Sequence, residues 1–220
     1  MTAVPSGAGP VRAVVFDFGG VFTTSPFAAV TEAAGARGAD PAAVLAAMFG
    51  PYDQDTDHPW HRLERGEITL TEATDSIVAL AAASGLEPFD PMDLLMALGG
   101  SGVRIEVVDF CRAVRSRGLR TGLLTNNARE FAEFWMPLLP LDELFDDVVD
   151  SSAVGLRKPD QRIYVLALER LGVAAEQAVF VDDAPGNVAA ATALGMRAVH
   201  IGPEVADVAV ALAEIDGHLA

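Results

Sequence analysis

Cysteine is almost absent from this chain of 220 residues. The single Cys111 rules out an intrachain disulfide and fits a reducing cytosol. It falls in the helical pattern Ile105-Glu106-Val107-Val108-Asp109-Phe110-Cys111 and reads as a small core residue rather than a nucleophile. Long apolar runs are also missing. The chain is 51% hydrophobic, yet no run approaches the roughly 18 residues that a membrane helix needs. Residues 1–10 hold no cationic stretch followed by an apolar one, so no secretory signal is expected, and they read as a loose arm of small residues. Basic residues are scarce, with 15 Lys and Arg against 31 Asp and Glu and a formal net charge of −16. Nucleic-acid affinity rests on clustered Lys and Arg, so no nucleic-acid partner is expected. A small anionic substrate fits only where positive charge gathers locally. These absences leave a cytoplasmic domain with no membrane partner, long enough for one core or a core with an insert.

The stretch Val14-Val15-Phe16-Asp17-Phe18-Gly19-Gly20-Val21 organises what is present. Its β-branched and aromatic run predicts a buried strand. The strand ends on Asp17, and two glycines then allow a sharp turn. Residues 25–100 carry helical patterns and no convincing strand. Asp40-Pro41 starts one helix, Thr71 to Asp75 opens another, and the stretch Asp57 to Glu67 lies between them. From about Val103 helices alternate with strands at Arg120–Leu124, Phe145–Val149, Ala178–Val181 and Arg197–Ile201. Such alternation means βαβ units, and hence a Rossmann-like parallel sheet flanked by helices in an α/β fold. The expected division is a core of residues 11–24 and 101–220, a helical insert of residues 25–100 and the arm of residues 1–10. Phe131, Phe134 and Trp135 read as core or as a dimer face, and the chain as a monomer or homodimer.

Right-handed crossovers place the carboxyl ends of parallel strands on one edge. Asp17, Thr125, Asn126, Asp182 and Asp183 gather there. Three unneutralised carboxylates repel one another and raise at least one pKa, a conflict that a divalent cation resolves. Mg²⁺ prefers one or two carboxylates with water and a substrate phosphate. Against this, Asp182-Asp183 can be read as a solvated turn, though it follows a buried apolar strand directly. The Thr125 hydroxyl and the backbone N–H groups of its turn suit a phosphate oxygen, or a helix N-cap. Lys158, in Gly155-Leu156-Arg157-Lys158-Pro159-Asp160, would supply local positive charge, with Arg157 as its competitor.

Taken together, these segments resemble the haloacid dehalogenase-like hydrolase superfamily. Phe16 to Val21 resembles its first motif, Leu123-Leu124-Thr125-Asn126-Asn127 the second, Lys158-Pro159-Asp160 the third, and Val181-Asp182-Asp183-Ala184-Pro185-Gly186-Asn187 the fourth. The insert resembles the family's small α-helical cap, placed after the first strand. Arg62-Leu63-Glu64-Arg65-Gly66-Glu67-Ile68-Thr69 is similar to the N-terminal phosphatase domain of soluble epoxide hydrolases. The resemblance implies a Mg²⁺-dependent phosphatase acting on a small phosphorylated metabolite. Asp17 would be the nucleophile, with Lys158 as its catalytic partner, and an aspartyl-phosphate would form. Asp17, the carbonyl of Gly19, Asp182 and Asp183 would hold the metal, and Thr125, Asn126 and Lys158 would bind the phosphoryl oxygens.

One departure stands out. The family's phosphatases usually carry a second aspartate where this chain has Gly19. A proton would then come from His61 or Glu64 in the insert, from water, or not be needed. The alternatives are a metal-independent haloacid dehalogenase and a catalytically weak protein that binds phosphate or a partner. Trp60, His61 and Arg62 are candidates for the specificity wall, and His58 with His61 reads as packing or substrate contact rather than a zinc site.

Overall fold

The computed structural model describes residues 9–96 and 102–220. The arm expected at residues 1–10 falls largely outside them, as does the expected boundary at residues 100 and 101. Five parallel strands form one sheet: β1 (Ala13–Phe16), β2 (Arg120–Thr125), β3 (Asp147–Asp150), β4 (Ala178–Asp182) and β5 (Arg197–His200), in the order β3-β2-β1-β4-β5. The order reverses at β1, and such a switch point opens a crevice at the carboxyl ends of the strands. Both faces are covered, which is why the central strands read as unbroken apolar runs. The two-residue period divides them. Val14 and Phe16 face one cluster with Val107, Val108, Cys111 and Ile215, while Ala13 and Val15 face another with Ile163, Tyr164, Ala167 and Phe180.

The insert is helical: Pro26–Ala36, Pro41–Phe49, Pro59–Glu64, Leu70–Ala83 and Pro91–Met96. Four of these helices begin on proline, whose missing N–H is no loss at the first helical position. Asp40 caps the second, accepting from Ala42 N at 3.1 Å. Thr69 and Glu72 form a reciprocal box that starts the fourth at Leu70, slightly before the expected Thr71. Val30, Val44, Met48, Trp60, Leu63 and Ile77 form the insert's apolar cluster, which also takes in Ala128 from the core.

The segment of Phe131, Phe134 and Trp135 is a short α-helix, Ala132–Trp135, between two 3-10 turns, and Pro137 and Pro140 remove the donors that would extend it. Of its aromatics Trp135 is core, its ring 5.1 Å from that of Phe18, and Phe134 is exposed. A 15-residue helix, Val205–Leu219, closes the chain and was not anticipated. Cys111 is buried, and burial pushes its thiol up to about 12. No helix among the described residues is long and apolar enough to cross a membrane.

Candidate active site

The register of β1 builds the site. Phe16 lies opposite Leu123 on one side and Val181 on the other, and the N–H of Asp17 donates to the Val181 carbonyl at 2.9 Å. Each of the three central strands therefore delivers its next residues to the same edge. Oxygen atoms of Asp17, Asp182 and Asp183 lie within 4.8 Å of one another. Lys158 enters from the loop ahead of the helix Gln161–Leu171. Its ammonium donates to Asp17 Oδ1 at 2.8 Å, Asp182 Oδ2 at 2.7 Å and the Leu124 carbonyl at 2.9 Å. These three acceptors match the three protons of the ammonium.

Several neighbours position this group. The Asn126 side chain grips the peptide of Lys158, accepting from its N–H at 2.8 Å and donating to its carbonyl at 2.9 Å. Asp182 Oδ1 accepts from Ala184 N at 2.8 Å and from Asn187 Nδ2 at 3.1 Å, and Asn187 also reaches Oδ2 at 3.1 Å. Thr125 is buried at the end of β2, and its hydroxyl reaches only the Asn126 carbonyl, at 3.4 Å. The N–H of Asn127 is engaged by Ser151 Oγ at 2.9 Å.

Electrostatics set these groups apart. Burial raises the Asp17 carboxyl well above its usual range; Lys158 pulls it down, and Asp182 and Asp183 push it up again. Burial and then Asp182 raise Asp183 to about 6, against a lowering contribution from the Ser25 hydroxyl. Burial alone would lower the Lys158 ammonium, but Asp17 and Asp182 outweigh it and hold its pKa above the ordinary lysine value. The donor set is one for a hard cation: clustered oxygens, and two carboxyls that repulsion and burial keep from ionising freely. Gly20 makes room for it. With φ at +73°, a Cβ there would stand 2.1 Å from Asp183 Oδ2.

A cleft of about 510 Å³ runs from Asp183 and Gly20 between insert and core. Phe27, Ala28, Tyr52 and Asp53 of the insert form one side, and Pro185, His200, Ile201 and Pro203 lie across from them.

The haloacid dehalogenase-like hydrolase family matches residues 11–195. The chain belongs to it. This HAD-like hydrolase is 31% identical over 206 residues to acyl-CoA dehydrogenase family member 10 of Mus musculus, a match that takes 91% of this chain but only 19% of that protein. A sesquiterpene phosphatase of Aspergillus oryzae is 27% identical over 204 residues, 89% of this chain and 92% of that one. Phosphoglycolate phosphatase of Escherichia coli O157:H7 is 32% identical over 145 residues, 64% of this chain and 58% of that one. Among solved structures, an L-2-haloacid dehalogenase matches with a TM-score of 0.67 at 23% identity, over 94% of this chain and 100% of that one. A magnesium complex of a HAD-family enzyme from Bacteroides thetaiotaomicron matches with a TM-score of 0.61 at 18% identity, over 89% and 95% of the two chains. These two structures speak to the fold.

The residues expected from the insert of this HAD-like hydrolase are placed elsewhere. Glu64 is buried and accepts from Arg157 Nε at 2.7 Å, Trp60 Nε1 at 2.8 Å and the Tyr52 hydroxyl at 3.1 Å, so its oxygens are taken up by these donors and do not line the cleft. His61 is buried too, its Nδ1 accepting from Thr56 N at 3.0 Å, and burial with Arg157 and His58 lowers it to about 3. Neither serves as the missing acid. Trp60 packs into the insert and Arg62 pairs with Glu67 at 3.4 Å, and neither lines the cleft. The rings of His58 and His61 pack together with centroids 5.5 Å apart, and the side chain of Asp57 beside them is fully exposed. Arg157 does not compete for the crevice. It bridges insert and core through Glu64 and the Gln54 carbonyl, the latter at 2.9 Å, and covers the Tyr52 ring at 5.0 Å. The cleft residues Ser25, Phe27 and Tyr52 carried no motif and went unnoticed. One signal did favour Lys158: it is the only lysine in the sequence.

Proposed function

We propose that this HAD-like hydrolase is a Mg²⁺-dependent phosphoric monoester hydrolase in which Asp17 is the nucleophile. The observation that supports it best is the buried Asp17–Lys158–Asp182 arrangement beside Asp183. A carboxylate of Asp17 attacks phosphorus, the bond from phosphorus to the leaving oxygen breaks, and an aspartyl-phosphate forms on Asp17. Water then attacks that phosphorus, releasing phosphate and restoring the carboxylate. Lys158, oriented on Asp17 Oδ1, balances the charge that builds on the phosphoryl oxygens, and it must loosen one present hydrogen bond to touch them. The Thr125 hydroxyl is a further donor. Asn126 acts through its backbone, because its side chain holds the Lys158 peptide. Asp182, saturated by Lys158, Ala184 and Asn187, positions Lys158 and supports the metal from behind. The residues that would hold magnesium are Asp17, the Gly19 carbonyl and Asp183, and the chemistry it supplies is charge neutralisation between nucleophile and phosphate.

Gly19 offers no acid, so the leaving oxygen takes its proton from water, and leaving groups that need little protonation react best. The insert acts as a cap over the cleft. Two phosphatase relatives, one named for a sesquiterpene and one for phosphoglycolate, support a small phosphorylated substrate. The test is phosphate release from an aryl phosphate, with and without Mg²⁺, in the wild type and Asp17→Asn. Mg²⁺-dependent turnover that vanishes in Asp17→Asn is expected. Metal-independent halide release from a 2-haloacid, with no phosphate release, would replace this reading with a dehalogenase.

A further inference from the structure

The cleft borders the carboxylate cluster through Asp183 and Gly20, with Asp17, Lys158 and Thr125 outside its lining. Its walls carry a charge pattern that bears on the organic part of a substrate. None of its lining residues is lysine or arginine, while Asp53 and Asp183 both line it. Phe27, Ala28, Pro185, Ile201 and Pro203 make most of the remaining surface apolar. Three cations stand close by and none is in the lining; the nearest, Arg104, is turned to the Gly20 carbonyl and, at 3.1 Å, to the Pro203 carbonyl. The Lys158 ammonium is held by Asp17, Asp182 and the Leu124 carbonyl. Arg157 is not part of the lining; its Nε and Nη1 are held by Glu64 and the Gln54 carbonyl, and its Nη2 is buried without a partner. His200 lines the cleft with Nε2 against the Asp183 carbonyl at 2.9 Å.

With Asp183 engaged by the metal, a carboxylate or second phosphate on the organic part would leave water for mostly apolar surface and Asp53, with no lysine or arginine in the lining to pair it. Burying an unpaired charge is strongly unfavourable. An apolar body meets the opposite situation, since about 510 Å³ lies within the range of clefts that enclose small organic ligands. Ser25 and Tyr52 are the remaining polar residues of the lining, the Tyr52 hydroxyl donating to Glu64 at 3.1 Å. We infer that the substrate is a phosphate monoester of an uncharged, largely apolar alcohol, and that Phe27, Ala28 and Pro203 select it. This rests on the phosphatase reading of the site.

Inhibition separates the two claims, because it does not depend on whether an alkyl leaving group can depart without an acid. The wild-type protein is assayed with an aryl phosphate and Mg²⁺ against hexylphosphonate and phosphonoacetate, which differ in their organic part and share a phosphonate. Hexylphosphonate is expected to inhibit at least tenfold more tightly. Ala28→Arg and, on the exposed rim, Pro203→Arg each place a cation in the wall and are expected to narrow that gap in favour of phosphonoacetate. Equal or tighter inhibition by phosphonoacetate in the wild type overturns the inference, as does a gap that neither variant moves. If no aryl phosphate is turned over, the phosphatase reading fails on its own. The same two phosphonates are then ranked by calorimetric titration in Mg²⁺, where the same order supports the cleft's selectivity and the reverse order overturns it.

Discussion

Nζ of Lys158 lies 2.8 Å from Oδ1 of Asp17, and both residues are buried. Burial makes this contact an exchange. Without Lys158, Asp17 would face Asp182 and Asp183 with nothing to offset their charge; without the aspartates, the only lysine would be stranded in the core. The sheet tolerates a cation and carboxylates at its centre because they arrive together.

Lys158→Met is expected to lower stability by about 3–5 kcal/mol, the range for breaking a buried ion pair from one side. It is also expected to abolish phosphate release. Lys158→Met combined with Asp182→Asn should recover part of the stability and none of the activity, since it removes the stranded charge but not the need for a donor. Urea unfolding reads the first effect and aryl phosphate hydrolysis the second. Simple addition of the two single effects would show that the residues are not coupled.

Asp183 tests the proposed metal site. Its folded pKa, raised to about 6, exceeds its unfolded value, so the folded state binds more protons across that interval. Stability in metal-free buffer is therefore expected to fall as pH rises from about 4 to 6 and to stay low above it. Asp183→Asn should remove that loss and stabilise the metal-free protein at pH 7 by about 1–3 kcal/mol. Mg²⁺ should raise the Tm of the wild type and leave that of Asp183→Asn nearly unchanged. Equal Mg²⁺ shifts in the two proteins would remove Asp183 from the metal site.

Gly19→Asp tests the missing acid, and Pro26 stands in its way. A Cβ on Gly19 would lie 3.3 Å from Pro26 Cδ, so the proline must give by a few tenths of an ångström. The single variant is expected to lose about 1–3 kcal/mol to overpacking. Combined with Pro26→Ala it should fold more easily and hydrolyse an alkyl phosphate at least tenfold faster than the wild type, toward the lower end of the roughly 10²–10⁴-fold that a positioned acid supplies. Aryl phosphate turnover should change less. A uniform change in both substrates would mean that the new carboxylate does not protonate the leaving group.

His61 is expected to contribute to the acid stability of the insert. Its folded pKa of about 3 is below the unfolded value near 6.5, so the unfolded chain binds the extra proton first. Its contribution is complete above about pH 6.5 and is lost as pH falls toward 3, with a slope of at most about 1.4 kcal/mol per pH unit. His61→Asn, whose carbonyl oxygen can accept from Thr56 N, is expected to flatten this dependence relative to the wild type. Thermal unfolding between pH 4 and 7 measures the difference, and parallel curves would show that His61 does not titrate with unfolding.

Local chemistry was enough to foresee much of the molecule. Val14, Val15 and Phe16 are apolar and β-branched or aromatic, so they form a strand wherever they are buried. Asp40 and Asp160 cap helices by bonding to backbone groups two residues on. Parallel crossovers then oblige Asp17, Thr125 and Asp182 to meet at one edge, and no side-chain detail is needed to say so. The choice between Arg157 and Lys158 was beyond such reasoning. The two are adjacent and both cationic, and only packing turns one toward Glu64 and the other toward Asp17. Glu64 looked like a free acid until Trp60, Tyr52 and Arg157 closed around it. The cleft likewise joins Phe27, Tyr52 and Pro203 from three separate segments. Strand and cap preferences depend on near neighbours in the chain, which the sequence states outright. Burial, charge pairing and the shape of a cleft depend on residues that only folding brings together.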